Sequence, residues 1–220
     1  MHPPLSADVV IVGGGIMGTS IAWQLARRGA GSVFLLERST LAAGASGRTG
    51  ALLRQHYSNM PEATLAKRSL EIFANWPEIV GGDISFNPCG VIVTVPTAPP
   101  FEANIDRLKR NVEMLRAIGT QIAFVSPDEL QEIEPAATFD DVSAATFESG
   151  SGCVDAGAAT RSMAKAAMRA GATIREQVHA LELIERDGAI GGVRTDQGDV
   201  SARCVVVANG ASSKKLCSTI

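Results

Sequence analysis

From residue 8 the chain reads Asp-Val-Val-Ile-Val, a β-branched run that meets Gly13-Gly14-Gly15 at once. A short continuous apolar run bounded by glycines reads as a strand covered on both faces. From Ile16 to about Arg28 the apolar positions Ile16, Ile21, Ala22, Leu25 and Ala26 recur near the helical period. Gly29 stands where a helix C-terminus takes glycine, and a second apolar run, Val33-Phe34-Leu35-Leu36, ends in Glu37. Strand, turn, helix and strand between residues 8 and 37 predict one βαβ unit with a parallel sheet.

Further along, residues 40–49 are rich in Gly, Ala and Ser and read as a loop. A helical pattern from Glu62 to about Trp76 is expected to stop at Pro77. Residues 90–95 predict a strand, Pro96 to Pro100 a connection, and 102–118 a charge-rich helix. Short strands are expected at 122–125 and 144–148, and a helix over about Ala156 to Ala170 with Gly171 behind it. Strand candidates near 173–186, 189–195 and 199–207 are joined by Asp187-Gly188, a strong hairpin signal, and by the weaker Gln197-Gly198. The pattern divides the chain into two interleaved modules. Residues 1–80 and 150–220 form a nucleotide-binding α/β domain, and 81–149 an insertion.

Composition narrows the function. Of the 220 residues 45% are apolar and 20% charged, the balance of a globular protein, with 20 basic against 23 acidic side chains. No basic field draws nucleic acid or anionic lipid, and with 5% aromatics no stacking platform for single strands is expected. No apolar run approaches the length of a membrane span, and Met1 to Leu5 lack the charged start of a secretion signal. Cys89, Cys153, Cys204 and Cys217 form no C-x-x-C pair, so no metal site is expected. A reduced location, cytoplasmic or in an organellar matrix, follows. Cys89 and Cys153 read as small buried packing residues, and Asp140-Asp141 as a solvated turn.

The chemistry lies in the glycines. Gly13, Gly15 and Gly18 fit G-x-G-x-x-G: the first allows a tight turn, the second lets backbone approach a pyrophosphate, the third lets helix and strand pack closely. Ile16 and Met17 open the helix, whose free N–H groups and macrodipole favour phosphate. Glu37 stands 19 residues after Gly18, where a carboxylate accepts hydrogen bonds from ribose hydroxyls. An NAD domain would continue into another βαβ repeat. This chain runs instead into Leu41-Ala42-Ala43-Gly44-Ala45-Ser46-Gly47-Arg48-Thr49, which can bring N–H groups and a hydroxyl to a second face of the pyrophosphate. That pattern favours a flavin over a nicotinamide.

Four blocks, VVIVGGGIMGTSIAWQLARRG, LLERSTLAAGASGRTGALLRQHY, GCVDAGAATRSMAKAAMRAGATI and CVVVANGASS, occur in this order between about residues 6 and 213. Together they resemble the FAD-dependent amine oxidoreductases, the group of D-amino-acid oxidase, glycine oxidase, sarcosine oxidase and dimethylglycine dehydrogenase. The resemblance implies a Rossmann-like α/β FAD-binding domain with a parallel sheet and a β-meander, and an inserted, partial α+β substrate domain. It implies FAD as cofactor, its pyrophosphate on Gly13, Gly15 and Gly18, and Glu37 with Arg38 at the adenosine ribose. Ser46, Arg48 and Thr49 would follow the pyrophosphate, and Ala208 and Gly210 form a second turn over the cofactor. Val178 fits an adenine-contacting strand and fits an ordinary core strand equally well.

The resemblance also places Arg54 with Tyr57, in RQHY, where sarcosine-oxidase-like members bind the substrate carboxylate. A guanidinium fork suits that task, and a surface arginine capping a short helix fits the same residues. His56 is a weaker candidate for a polar contact or covalent flavin attachment, with a structural role the commoner outcome. The implied activity is oxidation of the C–N bond of an amino acid or N-methylated amino acid by hydride transfer to flavin, with O2 or an electron carrier as acceptor. Family members are considerably longer, and their C-terminal part completes the substrate sheet. A fragment, a truncated product, or a subunit completed by a partner chain all agree with this. The alternative function is therefore an FAD-binding subunit without independent catalysis.

Overall fold

The computed structural model describes residues 6–220, so the secretion-signal reading of Met1 to Leu5 lies outside the described residues. Along the chain, β1 (Ser6–Val12) leads through the glycine turn into α1 (Ile16–Arg27) and β2 (Val33–Leu36). β3 (Leu52–Leu53), α2 (Met60–Ala74) and the single-turn α3 (Trp76–Ile79) follow. Next come β4 (Val91–Pro96), α4 (Phe101–Ala117), β5 (Ala123–Val125), α5 (Pro127–Ile133), β6 (Val142–Glu148) and β7 (Gly152–Cys153). The last stretch holds α6 (Ala156–Arg169), β8 (Thr173–Arg175), β9 (Ala180–Arg186), β10 (Ala189–Thr195), β11 (Gly198–Val207) and α7 (Ser213–Cys217).

The fold is α/β and separates into two compact units. The first holds the described residues up to Ala51, with Pro77–Ile84 and Asp155–Ile220. Its six-stranded sheet has the order β8-β2-β1-β11-β10-β9. β8, β2, β1 and β11 are parallel, and β11 continues antiparallel into β10 and β9 as a meander. Val10 and Val12 pack with Phe34, Leu36, Val193 and Leu216 on one face of this sheet. The pleat sends Ile11 and Leu35, both fully buried, to the opposite face, where α1 and α6 pack against each other. α6 presents Ala159, Ala164, Ala166 and Ala167 to the interior, small side chains that let it lie close to its neighbours.

The second unit holds Leu52–Trp76 and Ser85–Val154. β4, β6 and β5 form an antiparallel sheet, β3 pairs with β7, and α4 packs with α2. Ala63, Val112, Leu115 and Ile122 are its buried cluster, with Tyr57, Met114 and Ile118 against them. The segment carrying α2 therefore belongs to the compact unit of the insertion, whereas the hydropathy pattern had grouped it with the residues before it.

Three local expectations need correcting. Pro77 does not stop the long helix: that helix ends at Ala74 with Asn75 as its cap, and Pro77 sits in the first turn of α3, where a missing N–H costs nothing. The run 173–186 is two strands on opposite edges of the sheet, because Gln177 takes a left-handed φ of 60° and bends the chain between them. The turn between β10 and β11 is Asp196-Gln197, closed by the pair Thr195 and Gly198, one residue earlier than the Gln197-Gly198 signal. Asp187-Gly188, with φ of 53° and 76°, makes the expected tight hairpin. No helix among the described residues is long and apolar enough to cross a membrane.

Candidate functional site

The carboxyl ends of β2, β1 and β11 lie side by side, and each delivers a part of the motif. In open α/β sheets ligands bind in the crevice beyond these ends. Gly13 follows β1 with φ of 116°, and a Cβ there would stand 2.6 Å from the Ala208 carbonyl oxygen beyond β11. A Cβ on Gly18 would fall on the Gly13 carbonyl, so these two glycines exist for close backbone packing. Gly15 differs. Its φ of −79° suits any residue, and its Cβ would meet only the Ser46 hydroxyl at 3.0 Å.

Glu37 and Ser46 close on this turn from opposite sides. Glu37 Oε2 accepts the Gly14 N–H at 2.7 Å and its Oε1 accepts the Ser39 N–H at 2.8 Å. Each carboxylate oxygen keeps a second lone pair for a hydroxyl. Ser46, in a 3-10 turn over Ala45–Gly47, accepts the Ile16 N–H at 3.0 Å. The remaining N–H groups of the first turn of α1, at Met17 and Gly18, have no carbonyl four residues back within the helix to accept them. Met17 is exposed beside them.

The structure thus gathers Gly13, Gly15, Ile16, Met17, Gly18, Glu37, Ser46 and Ala208 about one turn. Ala208 donates its N–H to the Val12 carbonyl at 2.8 Å, and Gly210 opens a 3-10 turn two residues on with φ of 57°. Arg38, Arg48 and Thr49 are exposed on the adjoining loops, with the Thr49 hydroxyl accepting the Ala51 N–H. Val178 donates its N–H to the Glu37 carbonyl at 2.9 Å while its side chain is buried in the sheet core. Its backbone borders the site, and its side chain does not.

The turn fits a dinucleotide: unclaimed helix N-terminal donors for phosphate, a carboxylate held at the ribose position, and a glycine where a side chain would intrude. Fold and turn together define an α/β dinucleotide-binding protein of the Rossmann-like class. The family model for FAD dependent oxidoreductase matches residues 8–220, and the chain belongs to that FAD-dependent family.

Individual relatives agree. The 4-methylaminobutanoate oxidase (formaldehyde-forming) of Paenarthrobacter nicotinovorans is 31% identical, over 99% of this chain and 26% of that protein. Glycine oxidase of Geobacillus kaustophilus is 30% identical, over 95% of this chain and 56% of its own. The crystal structure of L-proline dehydrogenase from P. horikoshii matches with a TM-score of 0.90 at 28% identity, over 99% of this chain and 56% of that one. The chain thus spans between about a quarter and just over half the length of the relatives it matches.

The second unit contains the other candidate residues. Arg54 is exposed, with its guanidinium 4.9 Å from the Tyr57 ring centre. Both line an open cavity of about 420 Å³ with Leu52, Leu65, Leu70 and Phe73. Arg54 Nη1 donates to the His56 carbonyl at 3.3 Å. His56 is buried, its Nδ1 3.6 Å from Glu148 Oε1 and its Nε2 3.4 Å from Asn111 Nδ2. Glu148, Asn111 and Gln55 were not singled out in the sequence. A glutamate in an alternating strand, in phase with buried Thr146, was the one available signal. Cys89 is exposed rather than buried. Desolvation raises the thiol of half-buried Cys153, and the neighbouring Cys89 adds to the shift.

Burial pushes the His56 imidazole below its ordinary value of 6.5; Glu148 opposes the shift and Arg54 adds to it. The neutral ring is therefore favoured in the folded chain, and the unfolded chain binds the extra proton first. The stability this contributes is present above pH 6.5 and is lost as pH falls through the lower folded value. Thermal melts at about pH 7.5 and about pH 5.5 should show a larger drop for the parent chain than for His56→Asn. Equal drops would mean that His56 binds its proton as readily in the folded chain as in the unfolded one.

Proposed function

We propose that this chain is the FAD-binding portion of an oxidoreductase that oxidises the C–N bond of an amino acid or N-methylated amino acid. The observation that carries the reading is the glycine turn beyond β1, gripped by Glu37 on one side and Ser46 on the other. In this reading Gly13, Gly15, Ile16, Met17 and Gly18 hold the FAD pyrophosphate, with Ser46, Arg48 and Thr49 along it. Glu37 and Arg38 take the ribose, Val178 supplies backbone beside it, and Ala208 and Gly210 close the far side. When bound, FAD supplies a two-electron acceptor for the hydride leaving the carbon beside the substrate nitrogen.

Arg54 takes the substrate carboxylate through its two-pronged guanidinium, and the Tyr57 ring supports the guanidinium from its other face. Leu52, Leu65 and Phe73 supply apolar surface beside the substrate's carbon skeleton. The names of the relatives support this class: one acts on 4-methylaminobutanoate, another on glycine, and each of these compounds carries both a carboxylate and an amine nitrogen. O2 or an electron carrier completes the cycle. Four free cysteines suit a reduced compartment, the cytoplasm or an organellar matrix.

Arg54→Ala should weaken a carboxylate substrate by about 1.5–3 kcal/mol, the scale of a hydrogen bond to a charged group. Titration of the FAD-loaded chain with N-methylglycine measures it, and an unchanged affinity removes Arg54 from the site. Turnover of N-methylglycine by the chain alone supports the oxidoreductase reading in full. Retained FAD without turnover supports an FAD-binding subunit that lacks independent catalysis, completed by a partner chain.

A further inference from the structure

Glu148 ends β6 with its side chain completely buried, a costly place for a carboxylate without partners. Its Oε2 is well supplied, accepting the Gln55 N–H at 2.8 Å and the Ser151 hydroxyl at 2.8 Å. Its Oε1 has no hydrogen-bond partner, and neither has His56 Nδ1, which faces it at 3.6 Å. The Asn111 amide nitrogen beside His56 Nε2 is a donor only, so Nε2 is the accepting nitrogen. A neutral ring then carries its proton on Nδ1, pointed at Glu148. A closure of under 1 Å brings this pair to ordinary charge-assisted hydrogen-bond length, about 2.8 Å.

We propose that Glu148 is the positioning residue for Arg54. It holds the Gln55 backbone through Oε2 and the His56 ring through Oε1, and the His56 carbonyl in turn receives the Arg54 guanidinium. Two consecutive residues are thereby fixed immediately after the arginine, on a segment with no regular secondary structure of its own. The arginine's own side chain is exposed and long, so its aim depends on this anchored turn and on the Tyr57 ring. A carboxylate is required because it alone accepts on both sides. A glutamine would turn an amide donor toward either the Gln55 N–H and the Ser151 hydroxyl or the His56 Nδ1–H. Flipping the ring tautomer to accept that donor would set Nε2–H against the Asn111 amide.

The inference rests on Arg54 as the carboxylate-binding residue, and a double-mutant cycle separates the two. N-methylglycine is titrated into the FAD-loaded chain and its Glu148→Gln, Arg54→Ala and double variants. Glu148→Gln should weaken binding about tenfold, the order of one charge-assisted hydrogen bond, and add less than about twofold in the Arg54→Ala background. If Arg54→Ala has no effect, or the parent chain does not bind, the carboxylate reading fails and takes this proposal with it. If Arg54→Ala weakens binding but Glu148→Gln does not, or the two effects simply add, the positioning role alone is overturned. Nitrogen-15 spectra of the histidine rings in the unsubstituted chain test it without any variant. The proposal requires the Nδ1–H tautomer at His56, and an Nε2–H ring overturns it.

Discussion

Gly15→Val should leave the fold intact and strip the chain of FAD. The two halves of that expectation come from different atoms. Gly15 has a φ of −79°, which valine adopts readily, and the new Cβ meets only the Ser46 hydroxyl at 3.0 Å, a side chain able to shift by a few tenths of an ångström. The sheet and α1 are therefore undisturbed, and circular dichroism and the melting temperature should stay close to the parent's. The branches of the valine, however, extend into the space a pyrophosphate must enter. Overpacking of about 1–3 kcal/mol corresponds to about 5- to 150-fold in affinity, enough to lose the flavin through desalting. Undiminished flavin content in a well-folded Gly15→Val chain would remove the phosphate site from this turn.

Gly18→Ala should do the opposite, damaging the fold before the ligand enters. Intrinsic propensity alone favours alanine inside a helix, by about 1 kcal/mol. At this position that gain is overwhelmed, because the methyl group would coincide with the carbonyl oxygen of Gly13. Backbone is the obstacle, so no rotamer change relieves it, and α1 must lift from the end of β1. A loss of about 3 kcal/mol or more in unfolding free energy is expected, at the upper end of overpacking effects. Urea denaturation of the FAD-free chain measures it, and a stability equal to or above the parent's would show that α1 and β1 are not in this close contact. The contrast between two glycines three residues apart separates what the motif does for the fold from what it does for the ligand.

Much of the first unit was legible in the sequence because its signals are local and mutually consistent. The β-branched run, the glycines and Glu37 each restrict the backbone or the chemistry in ways that agree on one βαβ turn. The meander was legible for the same reason at Asp187-Gly188, where only residues tolerant of positive φ fit the tight turn. The bend between β8 and β9 was not, since Gln177 adopts its positive φ with no glycine or proline to mark it. α5 escaped notice although Ser126-Pro127-Asp128-Glu129 forms a complete capping box, a short-range signal that the apolar pattern alone does not reveal.

The second site was legible only at its exposed end. Arg54 and Tyr57 lie only three positions apart in sequence and touch in space, so the resemblance to known relatives reached them. Glu148 is separated from Gln55 by 93 positions, and its partnership with His56 exists only after β6 has been folded against that segment. No periodicity carries such a pairing. It became visible through two orphaned polar atoms facing each other in the interior, where such atoms are rare.

The central claim is that the turn between β1 and α1 holds FAD. The measurement that tests it most directly is the absorbance spectrum of the purified chain after incubation with FAD and removal of free ligand. The account predicts an oxidised-flavin spectrum that stays with the protein in equimolar amount. A protein fraction free of flavin absorbance would contradict it.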